Sequence, residues 1–247
     1  MPTMRSWWVL LATLVGVGVT ASAGRWQLSR ADQKLSLHET MVARQQLAPL
    51  DNLALPCDSA SWAATEQRPV RLSGLWQPQH TLFLDNRAMS GRAGRVVLTP
   101  LLLQPSPLGC AAQVVLVQRG WVPLDQVDRS RVPEVPTPTG LVTLEGRLVA
   151  APSRLMELGD AATDSPGVIR QNVSLPALST QWQQALRPGS IQQTGPSPEG
   201  LVRDWWQPSA DVVKHQAYAA QWFAMAAIMV GLYVWFQWLK PRRGAAH

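Results

Sequence analysis

The chain is poor in the residues that most often carry chemistry. It holds four histidines, His38, His80, His215 and His247, and two cysteines. There is no GxSxG elbow, phosphate-binding Gly loop, HExxH pair or Cys/His zinc spacing, so enzymatic hydrolysis has no positive support and the reading is of a protein that is not an enzyme. Cys57 and Cys110 form neither a CxxC redox pair nor a CxxCH haem attachment. In an oxidising compartment they permit one disulfide; the other reading is two unrelated thiols. No basic stripe with interleaved aromatics is present, which excludes nucleic acid as a partner. Internal repeats and low-complexity tracts are absent too.

Charge is also scarce, and it is missing in two long blocks. From Ser6 to Gly24 the sequence is uncharged, and its 19 residues rise about 28 Å as a helix, close to the hydrocarbon thickness. From Gln216 to Leu239 a second uncharged run ends at Lys240, Arg242 and Arg243. Trp222, Tyr233, Trp235 and Trp238 suit the interfacial levels of such a span. The first run also matches a secretory signal, with Arg5, an apolar stretch and Ala21-Ser22-Ala23. A retained helix is preferred, because the apolar region is long for a signal and Gly16, Thr20 and Gly24 form a small-xxx-small stripe suited to helix contact.

The expected organisation is a tail over 1–5, a membrane helix over 6–24, a helical extension over 25–48, a polar domain with its tether over 49–215, a second membrane helix over 216–239 and a tail over 240–247. Four of the 22 Lys and Arg lie in the tails, so the high pI of about 10.1 is mostly a membrane-flank effect. Arg25, Arg30 and Lys34, counted naively, argue for the reverse topology. Long loops translocate largely regardless of charge, however, and the short tails are purely basic, so both are placed in the cytoplasm and the domain outside.

From Arg68 onward, short apolar runs alternate with Gly and Pro: VRLSGLW, HTLFLDNR, GRVVLTPLLL, AQVVLVQRGWV and LVTLEGRLVA. Val70, Leu72, Gly74 and Trp76 keep a period of two. Five such strands predict a mainly antiparallel sheet or small open barrel, hence an α+β membrane protein with two terminal helices. A short helix is expected over Ala177–Leu186, and 190–208 is expected to be an irregular tether. Val122–Gly140, with four prolines, is expected to be an extended connection.

One residue stands out by location. His215 opens the second apolar run, and Tyr218, Trp222, Met225, Met229, Tyr233 and Phe236 follow near its helical face, while Gln221 points away. The stripe either packs against the first helix or forms an apolar wall beside an imidazole able to ligate haem iron.

Four separated segments resemble one family. GRWQLSRADQK (Gly24, Trp26, Gln27, Arg30, Lys34), LFLDNRAMSGRAGRVVLTPL, VLVQRGWVPLD (Arg119 to Pro123) and HQAYAAQWFAM are similar, in this order, to signatures of the surfeit-locus family of cytochrome oxidase assembly factors. The resemblance implies an inner-membrane factor of bacterial type that receives haem a from its synthase, holds it transiently and non-covalently, and hands it to the oxidase catalytic subunit. It implies His215 as axial metal ligand, with Tyr218, Gln221, Trp222, Gly24, Trp26 and Gln27 as further haem-binding candidates. Asn86, Arg87, Arg119 and Trp121 are weaker interaction candidates, for which a structural role at a strand exit competes. The alternative function is a non-haem scaffold that docks an oxidase subunit. A membrane-tethered sensor is disfavoured by the short tails.

Overall fold

The two uncharged runs become the longest helices. In the computed structural model, which describes residues 4–105, 109–155, 167–207 and 211–240, α1 spans Met4–Gln45 and stops before Pro49, which cannot continue a helix. Both the N-terminal residues 1–3 and the basic tail 241–247 lie outside the described residues. Between the long helices come α2 (Ser59–Ala64), β1 (Pro69–Trp76), β2 (Leu82–Met89), β3 (Arg92–Leu103), β4 (Val114–Pro123), β5 (Leu141–Val149), β6 (Ile169–Arg170), α3 (Leu175–Trp182) and β7 (Leu186–Gln193). Helix α4 (Val213–Val234) follows and runs into a π-helical turn at Trp235–Leu239.

The chain divides into two compact units, Met1–Thr40 with Gln207–His247, and Met41–Trp206. In the first unit both helices carry windows of mean hydropathy 1.6, of which only 11% and 6% is buried. They are long and apolar enough to cross a membrane, and too exposed to be core helices of a soluble domain.

The second unit is a barrel. Strand β1 pairs with β5, β5 with β7, β7 with β4, β4 with β3, and β3 back with β1, while β2 and β6 extend the sheet beyond β3. This corrects the expected antiparallel sheet or open barrel in two respects: the ring is closed, and β4–β7 and β2–β6 are parallel. Taken in chain order, the five ring strands follow the order 1-2-3-5-4, a Greek-key path through a small barrel.

Closure depends on close backbone approach. At Gly74, where β1 meets Leu103 of β3, an added Cβ would stand 2.4 Å from the Leu102 carbonyl oxygen. At Gly146, where β5 meets β7, it would stand 2.6 Å from Ile191 Cγ2. Both glycines mark places where only a missing side chain lets the strands converge.

Strand β7 was not expected. Pro188 and Gly189 read as helix-stop residues, and 190–208 as a tether. In fact Pro188 falls in the register irregularity between Leu186 and Ser190, where it withholds no ladder donor, and Gly189 lets the Trp62 indole of α2 approach the backbone. The tether is corrected as well: residues 190–193 complete the barrel, Leu201 is buried, and Val202 exchanges two backbone hydrogen bonds with Trp121. Helix α3 starts earlier than expected and ends at Gln183, whose left-handed backbone (φ 54°) turns the chain into β7.

Strands β3 and β4 are buried on both faces, which explains their near-continuous apolar sequences. Val115 and Val117 point into the barrel with Leu72, Leu101, Leu148 and Ile191. Leu116 and Trp121 point the other way, into a cluster with Leu84 and Leu98 and with Leu178 and Trp182 of α3. Each such side chain contributes roughly 1.5–3 kcal/mol by leaving water. Cys57 and Cys110, 53 residues apart in sequence, are joined in a disulfide with Cα atoms 5.9 Å apart, tying α2's approach to the β3–β4 connection.

Candidate functional site

In the helix pair, α1 and α4 run antiparallel and meet along a seam with 3.5-residue spacing. On α1 the covered positions include Thr13, Val17, Thr20, Gly24, Gln27 and Ala31; on α4 they include His215, Ala219, Trp222, Ala226, Met229 and Tyr233. Alternating steps of three and four keep one face toward the partner. Small residues let the backbones approach: a Cβ at Gly24 would meet the Phe223 ring at 2.8 Å, and one at Gly16 would meet Met229 Sδ at 2.8 Å.

This seam brings the two helix signatures together. His215 Nδ1 lies 2.8 Å from Gln27 Oε1, and because the amide oxygen only accepts, the imidazole donates from Nδ1. With Nδ1 donating, it is Nε2 that carries the lone pair whenever the ring is neutral, the form in which an imidazole ligates a metal. Gln27 is therefore positioned to fix the orientation of the His215 ring.

The other helix candidates divide. Trp222 is half-buried beside His215's face, whereas Tyr218 is 53% exposed and Gln221 also faces outward. Trp26 is 55% exposed and stacks with the guanidinium of Arg30, 5.6 Å from its ring centroid. Deeper along the pair, a cleft of about 290 Å³ is lined by Val9, Thr13, Met229, Tyr233 and Phe236. Among the described residues no group of three His, Cys, Asp or Glu side chains could hold a metal ion by itself.

The weaker candidates lie in the barrel unit and are joined by β3. The Trp121 indole covers Gly94, where a Cβ would fall 2.2 Å from the ring, and its Nε1 donates to the Arg87 carbonyl at 2.7 Å. Arg87 donates from Nη2 to the Ser153 and Gln171 carbonyls, both at 2.8 Å. Asn86, exposed, takes a left-handed backbone (φ 55°) in the irregular stretch between Leu84 and Arg87.

Arg119 is 1% exposed. It donates to Thr137 Oγ1 at 2.7 Å and the Pro136 carbonyl at 2.8 Å, stands 3.5 Å from Glu199, and lies over the Trp76 ring at 5.0 Å. Burial pushes the Arg119, Arg203 and Arg87 guanidinium groups below their ordinary range, and Glu199 partly offsets this for the first two. Arg119 thus pins the Pro-rich β4–β5 connection, with a cavity of about 500 Å³ beside it. Sequence reading missed Glu199 and Arg203, which meet Arg119 only through the fold.

A model described as the SURF1 family matches residues 14–227. This chain belongs to the SURF1 family. The family is known for cytochrome oxidase assembly factors. Among its relatives, "Surfeit locus protein 1" of Arabidopsis thaliana is 32% identical over 130 residues, 51% of this chain and 36% of that protein. The match thus spans little more than a third of the plant protein's length. "SURF1-like protein" of Monosiga brevicollis is 24% identical over 244 residues, 94% of this chain and 87% of its own. The family match takes in both helix signatures, including Gln27 and His215, and the whole barrel.

Proposed function

We propose that this chain assists assembly of a haem-copper terminal oxidase by holding haem a, transiently and non-covalently, and passing it to the catalytic subunit. The single observation that carries this reading is the Gln27–His215 hydrogen bond, which leaves an imidazole Nε2 free at the head of an apolar helix pair. The donor set fits haem iron: one neutral nitrogen ligand, with half-buried Trp222 and apolar neighbours for the macrocycle. A single ligand also suits a carrier, since release requires that few bonds be broken. Bound iron would supply the attachment point; Gln27 would hold the imidazole in the required tautomer and orientation.

In this reading the two helices lie in the bacterial inner membrane with both termini in the cytoplasm. The barrel faces the extracytoplasmic side, where its disulfide would persist. Haem a synthase would be the donor and the oxidase catalytic subunit the acceptor.

The test is an absorption spectrum of the detergent-purified chain co-produced with enzymes of haem a synthesis, compared with His215→Ala. Wild type is expected to carry a haem band that the variant loses. Equal haem in both would reject His215 as ligand, and normal oxidase assembly by a haem-free variant would favour a docking scaffold instead.

A further inference from the structure

The helix pair carries a recess that the imidazole does not use. Met229 lies about 21 Å along α4 from His215, and there the cleft of about 290 Å³ opens, walled by Val9 of α1 and by Met229, Leu232 and Phe236 of α4. Two polar side chains of α4 also line it, Tyr233 and Gln237. Neither the phenol nor the amide has a hydrogen-bond partner among the described residues. Thr13, the remaining polar neighbour, is satisfied within its own helix, donating to the Val9 carbonyl at 2.8 Å. Beside the cleft, Lys240 Nζ stands over the Phe236 ring, 5.6 Å from its centroid. The cleft also reaches the π-helical turn at Trp235–Leu239, and such turns are frequent at functional sites.

An amide and a phenol left unpaired between membrane helices cost free energy until something bonds them. Their order along α4 indicates what that is. Apolar Met229 and Leu232 come first, the hydrogen-bonding Tyr233 and Gln237 follow, and a cation ends the series at Lys240. From Met229 to Lys240 the helix rises about 16 Å, close to one leaflet of a hydrocarbon layer roughly 30 Å thick. A phospholipid has the same order of acyl chain, ester carbonyls and phosphate. A partner's membrane helix fits less well: at a diameter of about 10 Å, the cleft would hold less than one turn of it, and its backbone acceptors are already satisfied.

We propose that this cleft is a specific site for one anionic phospholipid. An acyl chain lies against Met229 and Leu232, an ester carbonyl accepts from Tyr233 and Gln237, and the headgroup pairs with Lys240. The proposal rests on the reading that α1 and α4 span a membrane, and is independent of haem.

The experiment is native mass spectrometry of the detergent-purified full chain, produced without haem a synthesis, stripped of lipid and offered phosphatidylglycerol or phosphatidylcholine with the same acyl chains. One phosphatidylglycerol per chain is expected to be retained, roughly fivefold more tightly than phosphatidylcholine. Lys240→Gln should remove that preference. Tyr233→Phe combined with Gln237→Leu should weaken retention of both lipids by about tenfold or more, while Val230→Ala, exposed and outside the cleft, should leave it unchanged. Equal retention in wild type and the double variant, equal retention of the two lipids, or purification from membranes as a lipid-free dimer would overturn the proposal, the last by placing a second copy in the cleft. Carbonate extraction of membranes tests the spanning reading separately. Release of the chain rejects that reading and the proposal together, whereas a chain that stays in the membrane yet binds no phosphatidylglycerol rejects the proposal alone.

Discussion

Gln27 and His215 are 188 residues apart in the chain, yet the amide oxygen of one lies 2.8 Å from the ring nitrogen of the other. One helix supplies a ligand-capable nitrogen and the other decides which of its two nitrogens is free. If the chain holds haem as proposed, Gln27→Leu should lower haem occupancy of the co-produced protein by about tenfold or more, while Gln27→Glu, which keeps an acceptor, should retain haem and alter its spectrum. Unchanged haem content in Gln27→Leu would show that the contact does not orient a ligand.

The helix seam makes a sterically graded prediction. Gly24→Val should separate the pair, because Phe223 already stands within 2.8 Å of where a Cβ would go. Gly18→Val, with nothing within 4 Å, serves as the control. The expected loss at Gly24 is about 1–3 kcal/mol, read as a lower Tm in detergent, against little change at Gly18.

Barrel closure can be tested by one methyl group. Gly74→Ala places it 2.4 Å from the Leu102 carbonyl oxygen, a backbone atom that can retreat only by opening the β1–β3 ladder. We expect at least about 2 kcal/mol of destabilisation by denaturant unfolding. Gly167→Ala, 3.7 Å from its nearest neighbour, should be nearly silent.

Arg119 holds the β4–β5 connection, so Arg119→Met should release it. Loss of the bonds to Thr137 and Pro136 is expected to cost roughly 3 kcal/mol, and limited proteolysis should find new cleavage within 124–140. A protease pattern identical to wild type would refute this assignment.

His80 supplies a pH dependence. It stacks on Trp182 with ring centroids 4.9 Å apart, and burial depresses its pKa below the ordinary 6.5. The unfolded chain therefore binds a proton more readily than the native one, so stability is fully present above pH 6.5 and falls as pH drops toward the depressed native value. His80→Phe should flatten that decline in unfolding free energy, while leaving the acid losses of the carboxylates at lower pH.

Much of this protein could be read from local pattern. The terminal helices follow from two uncharged runs, the stripe Gly16-Thr20-Gly24 from its spacing, and five strands from period-two alternation, since each signal is carried by neighbours in sequence. His215 was legible for the same reason: it heads a helix. Gln27 was legible only as part of a motif, and its acceptor role needed the antiparallel pairing of α1 with α4.

What the tertiary structure alone decided is what joins distant segments. Ring closure could not be foreseen, because β7 is built around Pro188 and Gly189, whose local preferences oppose a strand and are overridden by the irregular pairing with β4 and the Trp62 contact. The burial of Arg187, whose Nε and Nη2 have no hydrogen-bond partner among the described residues, arises only because Leu55, Pro56 and Cys57 fold over it from more than a hundred residues away. Hydrophobic period reports the face a residue turns to the core, and carries no record of which polar groups the core leaves without a partner.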